Sequence, residues 1–170
     1  MRKFSVHYRG DLNGGGTIEA PWFVRFLRQR FPERRFERVL DWCGGCGFLG
    51  FSLLDAGLCE ELCIVDVNPD AIACVERTLA ENREALGDHR VTARVSDNLS
   101  SLSEGEQFDL VVGKHAYHVP GDPRGVWDVR PRPPIQDFRA QIEAGGLGLR
   151  DVAHPEGSLR WFWILLSERV

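Results

Sequence analysis

Short apolar runs alternate with segments of helical periodicity along the first 113 residues of the chain, and this alternation constrains the fold more than any other feature. Short continuous apolar runs are typical of strands that are buried on both faces of a sheet. Four such runs occur: RVLDW at 38–42, LCIVDV at 62–67, VTARV at 91–95 and FDLVVG at 108–113. Strands that alternate with helices favour one mostly parallel sheet with helices on both faces, the α/β class.

Three helices are predicted before and between these strands. Apolar residues recur at helical spacing over residues 17–31, and a denser apolar segment covers residues 47–55. The third helix begins with Asn68 as N-cap and Pro69 at the first helical position, and we expect it to continue to Gly87.

The pattern changes after Gly113. Residues 114–134 contain five prolines and no apolar run, which predicts a long irregular loop. A helix is predicted at 135–144. The segments 147–154 and 159–168 then flank a Pro-Glu-Gly turn, which predicts a closing antiparallel hairpin.

Composition and charge restrict the class of protein. A chain of 170 residues with 43% hydrophobic residues can bury one core, so we expect a single domain over residues 1–170. The formal net charge of −4 argues against nucleic acid as a partner. No apolar run approaches the roughly 20 residues of a membrane span, and the amino terminus lacks the apolar stretch of a secretion signal. Five cysteines, an odd number, suit free thiols in a reducing cytoplasm. A homodimer is compatible with the sequence.

Ligands of doubly wound sheets bind where the parallel strands end. Four groups of residues follow the predicted strands: Asp41 with the glycine-rich segment 43–50, then Asp66, then Asp97 and Asn98, then Lys114, His115, Tyr117 and His118. The spacing Gly45-x-Gly47-x-x-Gly50 fits a dinucleotide fingerprint. Asp66 stands 19 positions beyond Gly47, where a carboxylate can accept both ribose hydroxyls of an adenosine ligand.

Two nucleotide hypotheses follow from these groups. A dinucleotide used for hydride transfer explains the glycines, but it leaves Asp41 and the Asp97-Asn98 pair without a role. That hypothesis also needs more chain for a substrate-binding part than remains after the fourth strand. The second hypothesis gives both of these features a role, and it rests on a family resemblance.

The runs VLDWCGGCGFLG, IVDVNPDAI, VSDNL and FDLVVG together resemble the class I S-adenosylmethionine-dependent methyltransferases, especially the branch whose fourth motif is Asn-Pro-Pro-Tyr or Asn-Pro-Pro-His. The resemblance covers residues 38–119 and, more loosely, 135–168. It implies a Rossmann-like three-layer sandwich with S-adenosylmethionine as cofactor. The chain after the fourth strand is too short for the family's helix, strand and second helix. Either one sheet strand is therefore absent, or residues 147–154 take its place.

The resemblance also implies roles for six residues at the carboxyl edge of the sheet. These are Asp41 for the methionine ammonium group, Gly45 and Gly47 for close approach to the cofactor, Asp66 for the ribose hydroxyls, Asp97 for the adenine amino group, and Asn98 beside the adenine ring.

The sequence departs from the family at two motifs. Cys43 replaces the first glycine of the glycine-rich motif, and Lys114-His115-Ala116-Tyr117 replaces Asn-Pro-Pro-Tyr. The Asn that accepts a hydrogen bond from a target amide or amine is thus absent. His115, Tyr117 and Lys114 are the candidate catalytic residues, because an imidazole titrates near neutrality and can remove a proton from a nucleophile. Lys114 could instead hold a substrate carboxylate.

Cys43-x-x-Cys46 has the spacing of a metal or redox pair. Cys59 and Cys63 are the other candidate ligands, but we expect them before the second strand, about 15 Å away across a five-residue strand. We therefore predict packing thiols and no metal site. A reactive Cys46 is the alternative, since the amino terminus of a helix lowers the pKa of a thiol.

The expected function is methyl transfer from S-adenosylmethionine to a nitrogen or oxygen of a small metabolite. The altered fourth motif argues against a glutamine of a release factor or ribosomal protein, and it favours a compact amino-acid or guanidino acceptor. Two alternatives keep the cofactor. One is an intramolecular displacement that releases methylthioadenosine, and the other is a binding module without turnover.

Overall fold

A computed structural model describes residues 4–9, 16–96, 106, 108–114, 151–153 and 162–166. The elements are α1 (Gly16–Arg30), β1 (Phe36–Trp42), α2 (Phe48–Asp55), β2 (Cys59–Asp66), α3 (Pro69–Glu81), α4 (Arg83–Leu86), β3 (Arg90–Val95), β4 (Leu110–Lys114), β5 (Asp151–Ala153) and β6 (Phe162–Leu166). The predicted helix at 135–144 and the loop over 115–134 lie outside the described residues.

The strands form one six-stranded sheet in the order β3-β2-β1-β4-β6-β5. The first four strands are parallel, whereas β6 pairs antiparallel with both β4 and β5. The prediction of a mostly parallel α/β sheet with an antiparallel closing hairpin is confirmed. Among the described residues no strand lies between β4 and β6, and β5 is at the edge of the sheet. The alternative in which residues 147–154 lie beside β4 is therefore wrong.

The core lies between the sheet and the helices that the sequence pattern predicts. Phe23 and Leu27 of α1 have no exposed surface, and Val75 of α3 has none either. Asn68 caps α3 through its side-chain Oδ1, which accepts a hydrogen bond of 2.9 Å from the amide of Asp70. The predicted start of this helix is confirmed.

The third predicted helix is not continuous to Gly87. It breaks at Asn82, whose backbone leaves helical geometry (φ −107°, ψ 22°), and the short α4 follows. The Asn82 side chain donates to the carbonyls of Thr78 at 2.7 Å and Ser5 at 2.9 Å. An amide side chain that bonds to nearby carbonyls competes with the helical hydrogen bonds, which accounts for the break.

No helix within the described part of the chain is long and apolar enough to cross a membrane. The prediction of one domain over residues 1–170 extends over residues that the structure does not describe, so it stays a prediction.

Candidate functional site

A glycine-rich turn, residues 43–47, joins β1 to α2 at the carboxyl edge of the sheet. Its backbone is left-handed at three positions, with φ of 54° at Cys43, 56° at Gly45 and 81° at Gly47. The amide of Gly47 donates to the carbonyl of Gly44 at 2.9 Å, which keeps the turn tight. Left-handed backbone is strained for any residue with a Cβ, so the replacement of the family's glycine by Cys43 leaves strain in this turn.

Glycines allow the turn and α2 to lie directly on β2. A Cβ on Gly44 would be 2.8 Å from Ile64, and one on Gly47 would be 2.9 Å from both Ile64 and Phe51. A Cβ on Gly50, in the first turn of α2, would be 2.9 Å from Leu62. Gly45 and Gly47 are the glycines predicted for contact with a ligand, and the packing role of Gly44 is not apparent from the sequence.

Asp41 lies beneath the glycine-rich turn. Its side chain is buried, with 1% of the residue exposed, and its Oδ2 accepts a hydrogen bond of 2.8 Å from the amide of Gly50. The carboxylate therefore holds the first turn of α2 over the end of β1.

Asp66 ends β2 and is half-buried. Its Oδ2 accepts from the amide of Gly45 at 2.8 Å, and its Oδ1 accepts from the amide of Asn68 at 2.9 Å. A carboxylate oxygen has two acceptor positions, so with respect to the described residues each oxygen keeps one for a further donor. The structure thus brings together two residues that the sequence predicted for one ligand, Asp66 and Gly45.

Two exposed valines stand beside Asp66 at the same edge. Val67 follows Asp66 in the chain and is 59% exposed, and Val95 pairs in register with Asp66 and is 55% exposed. These are among the few exposed large apolar side chains of the described residues, and they offer an apolar surface next to a carboxylate. Neither valine is among the predicted site residues, because both belong to apolar runs that predict strands. An apolar residue directly after the acidic end of a strand was the available signal.

All five cysteines are free thiols. Cys46 is completely buried, and burial raises the pKa of its thiol from 9.0 to about 11. The hypothesis of a reactive Cys46 is therefore wrong, because desolvation outweighs the effect of the helix terminus. Cys59 and Cys63 lie within β2 rather than before it, which corrects their predicted position. No group of three His, Cys, Asp or Glu residues that could hold a metal occurs among the described residues.

The remaining predicted site residues lie at or beyond the described part of the site. Lys114 is the last residue of β4 and pairs with Phe162 of β6, so its backbone is at the predicted edge of the sheet. Asp97, Asn98, His115 and Tyr117 lie outside the described residues, and their roles stay predictions.

The family described as methyltransferase small domain matches residues 24–122, which is more than half of the chain. A curated release factor glutamine methyltransferase from Clostridium acetobutylicum is 30% identical over 96 residues. The aligned part is 55% of this chain but only 32% of that relative, so the chain spans about a third of its length.

Solved structures share the fold at low sequence identity. An S-adenosylmethionine-dependent methyltransferase from Clostridium acetobutylicum has a TM-score of 0.53 at 12% identity, covering 94% of this chain and 95% of the other. The magnesium protoporphyrin IX methyltransferase of Synechocystis PCC 6803 with bound S-adenosylmethionine has a TM-score of 0.52 at 15% identity, covering 94% and 82%. At these identities the likeness concerns the fold alone.

Proposed function

This chain belongs to the methyltransferase small domain family, and we propose that it transfers the methyl group of S-adenosylmethionine to a nitrogen or oxygen of a small metabolite. S-adenosylmethionine is the cofactor of the family. The observation that carries the proposal is the hydrogen bond between Asp66 and the amide of Gly45. It places a carboxylate that can accept further hydrogen bonds beside a turn whose glycines have no side chains.

The methionine part of the cofactor fits the glycine-rich turn. Gly45 and Gly47 present backbone without side chains, and α2 begins directly after them, so its amino terminus favours a carboxylate group. Asp41 lies beneath the turn and bonds to Gly50, so we assign it a positioning role for the turn. As the family resemblance implies, we also propose that it orients the ammonium group of the methionine part.

The adenosine part fits the ends of β2 and β3. The free acceptor positions of Asp66 suit two ribose hydroxyls, and Val67 and Val95 offer an apolar surface to a purine ring. Asp97 and Asn98 follow directly after this region in the chain. We propose that they contact the adenine, as the family resemblance implies.

The bound cofactor supplies a methyl group that is already activated by its sulfonium. The chain's own residues therefore need to align the acceptor, exclude water and receive a proton where the nucleophile carries one. We propose His115 as the proton acceptor, Tyr117 as an aligning hydroxyl and Lys114 as a contact for a substrate carboxylate. Lys114 ends β4, next to β1 and its glycine-rich turn in the sheet.

The fourth motif favours a small acceptor over a protein glutamine. Lys114 stands where the family has the Asn that binds a target amide, and a cationic side chain suits the carboxylate of an amino acid or guanidino acid instead. The net charge of −4 disfavours a nucleic acid. Free thiols at all five cysteines support the proposal of a reducing cytoplasm.

A product assay tests this function. The purified chain is incubated with methyl-labelled S-adenosylmethionine and a panel of amino acids, guanidino acids and a glutamine-containing peptide, and products are read by mass spectrometry. S-adenosylhomocysteine with a methylated small acceptor supports the proposal. A methylated peptide would show that the acceptor is a protein glutamine and not a small metabolite. Release of methylthioadenosine would favour intramolecular displacement. Cofactor binding with no product would favour the binding module.

A further inference from the structure

An extended segment at the amino terminus, Phe4–Arg9, lies along α3, and we call it the strap. The amide of Ser5 donates to Asn82 Oδ1 at 2.8 Å, and Asn82 Nδ2 donates back to the carbonyl of Ser5 at 2.9 Å. The amide of His7 donates to Thr78 Oγ1 at 2.9 Å. These bonds attach alternate strap residues to one helix.

The strap residues and their partners at α3 are spaced by similar distances along the two segments. Ser5 and His7 are two residues apart, which is about 6.6 Å in extended chain. Asn82 and Thr78 are four residues apart, which is about 6 Å along a helix. The strap therefore runs antiparallel to α3 in a fixed register. Arg9 continues this path, because its guanidinium reaches Asp70 near the start of α3 at 2.8 Å.

Two partners of the strap, Thr78 of α3 and its C-cap Asn82, are buried polar side chains, whereas Asp70 and Glu81, which pair with Arg9 and His7, are exposed. Thr78 has no exposed surface, and Asn82 is 7% exposed. The Thr78 hydroxyl also donates to the carbonyl of Cys74, so it keeps one partner in any register. A shifted strap would instead leave Asn82 Oδ1 and the amides of Ser5 and His7 without these partners, at a cost of about 1–3 kcal/mol for each buried group. An entirely apolar face would bind the strap without favouring one register over another.

The far end of the strap reaches the glycine-rich turn. The ring of Tyr8 lies edge-on to Phe48, the first residue of α2, with centroids 5.2 Å apart. Burial raises the pKa of the Cys46 thiol within the turn, and the backbone of Arg9 partly opposes this effect. The strap thus connects a stripe of α3 to the turn that begins α2, although only α3 sets its register.

We propose that the strap is a positioning element of the cofactor site, in which Thr78 and Asn82 set the register and Tyr8 supports the start of α2 at Phe48, directly after the turn. The turn needs such support because Cys43 holds a left-handed backbone within it. The inference rests on the proposed binding of S-adenosylmethionine at the turn. Since two events that stabilise each other are coupled in both directions, cofactor binding also tightens the strap.

Calorimetric titration of the full chain with S-adenosylhomocysteine tests the inference. Thr78→Val removes the acceptor with little change in shape, and it should weaken binding about tenfold, within the usual range of coupling between sites. Thr78→Ser keeps the hydroxyl and should restore the affinity. Val91→Ala, on β3 and away from the strap, controls for lost stability and should bind as the wild type does. Equal affinity in a folded Thr78→Val variant and the wild type would overturn the role of the strap.

Hydrogen exchange of the wild type gives a second readout that does not depend on a variant folding. Saturating S-adenosylhomocysteine should slow exchange at the amides of Ser5 and His7, which bond to α3 away from the turn. Unchanged exchange at both amides in the saturated protein would contradict the coupling. If the folded wild type does not bind S-adenosylhomocysteine, the proposed function fails first, and the strap inference falls with it.

Discussion

The carboxylate of Asp66 accepts a hydrogen bond of 2.8 Å from the amide of Gly45, which ties the end of β2 to the turn after β1. The same carboxylate is the proposed acceptor for the ribose hydroxyls. Its structural and binding roles therefore cannot be separated by deleting it, and a test needs a variant that keeps one role.

Asp66→Ala should weaken S-adenosylmethionine binding by about 2 kcal/mol, because a charged acceptor of two hydroxyls is lost and such bonds contribute about 1.5–3 kcal/mol. Asp66→Asn keeps one acceptor oxygen for an amide and should lose less. Asp88→Ala, an exposed carboxylate on the loop before β3, should bind as the wild type does. The measurement is calorimetric titration, with circular dichroism to confirm folding. Unchanged affinity in a folded Asp66→Ala variant would remove the ribose assignment.

Most of the parallel sheet was predictable because β1, β2 and β4 are apolar runs and the helix after β2 has a recognisable cap at Asn68. The burial expected of β3 was wrong, since this strand is at the edge of the sheet and its residues are exposed or half-buried. The strand order then places Asp41, Asp66 and the glycines at one edge, since parallel strands end on the same side. The break at Asn82 was not predictable, because it depends on a hydrogen bond to Ser5, which is 77 residues away in the chain. The strap depends on the same tertiary contacts.

The pKa of the Cys46 thiol could not be predicted from the sequence either. The position of Cys46 before a helix suggested a lowered pKa, but the pKa of its thiol is raised by burial. Burial depends on how the turn packs on β2, which local sequence does not report. The exposure of Val67 was also not predicted, because a strand-forming residue at the end of a strand is compatible with burial. The structure shows that this side chain is exposed.

Alanine variants of Gly47 and Gly57 test how closely the turn packs on β2, because the two glycines have similar backbone conformations. Both have left-handed backbone, at φ of 81° and 67°, but a Cβ on Gly57 meets nothing within 4 Å. Gly57→Ala should therefore cost only about 1 kcal/mol of unfolding free energy, from backbone strain. Gly47→Ala should cost about 3 kcal/mol, because overpacking against Ile64 and Phe51 adds to the strain. Urea unfolding measures both, and equal losses would contradict the close packing of the turn on β2.

Stability should fall with rising pH above 9. Burial raises the pKa of the Cys59 thiol from 9.0 to about 12 in the folded chain. Between these values the unfolded chain loses this proton and the folded chain keeps it. The unfolded state therefore binds fewer protons, and the free energy of unfolding falls as the pH rises. One such group gives a slope of up to about 1.4 kcal/mol per pH unit.

Cys59→Ala should flatten this dependence, whereas Val75→Ala should lower stability equally at every pH. Urea unfolding at pH 8, 9 and 10 under reducing conditions measures the slopes. Parallel curves for the wild type and Cys59→Ala would mean that the thiol is not desolvated in the folded state.

His115→Ala and Tyr117→Phe should each lower turnover at least about tenfold, as expected when a proton acceptor or an aligning hydroxyl is lost. The affinity for S-adenosylmethionine should change little, because these groups act mostly in the transition state. His89→Ala, just before β3, is the control and should retain full turnover. Steady-state kinetics with a methylated product from the acceptor panel measure kcat and KM separately. Wild-type turnover in both variants would show that the acceptor is handled by other residues.

Titration of the full chain with S-adenosylmethionine beside NAD tests the central claim most directly, because the glycine spacing alone fits both ligands. We expect saturable binding of one S-adenosylmethionine per chain and no binding of NAD at the same concentrations. Binding of NAD, or no binding of S-adenosylmethionine by the folded chain, would contradict the assignment of this site to methyl transfer.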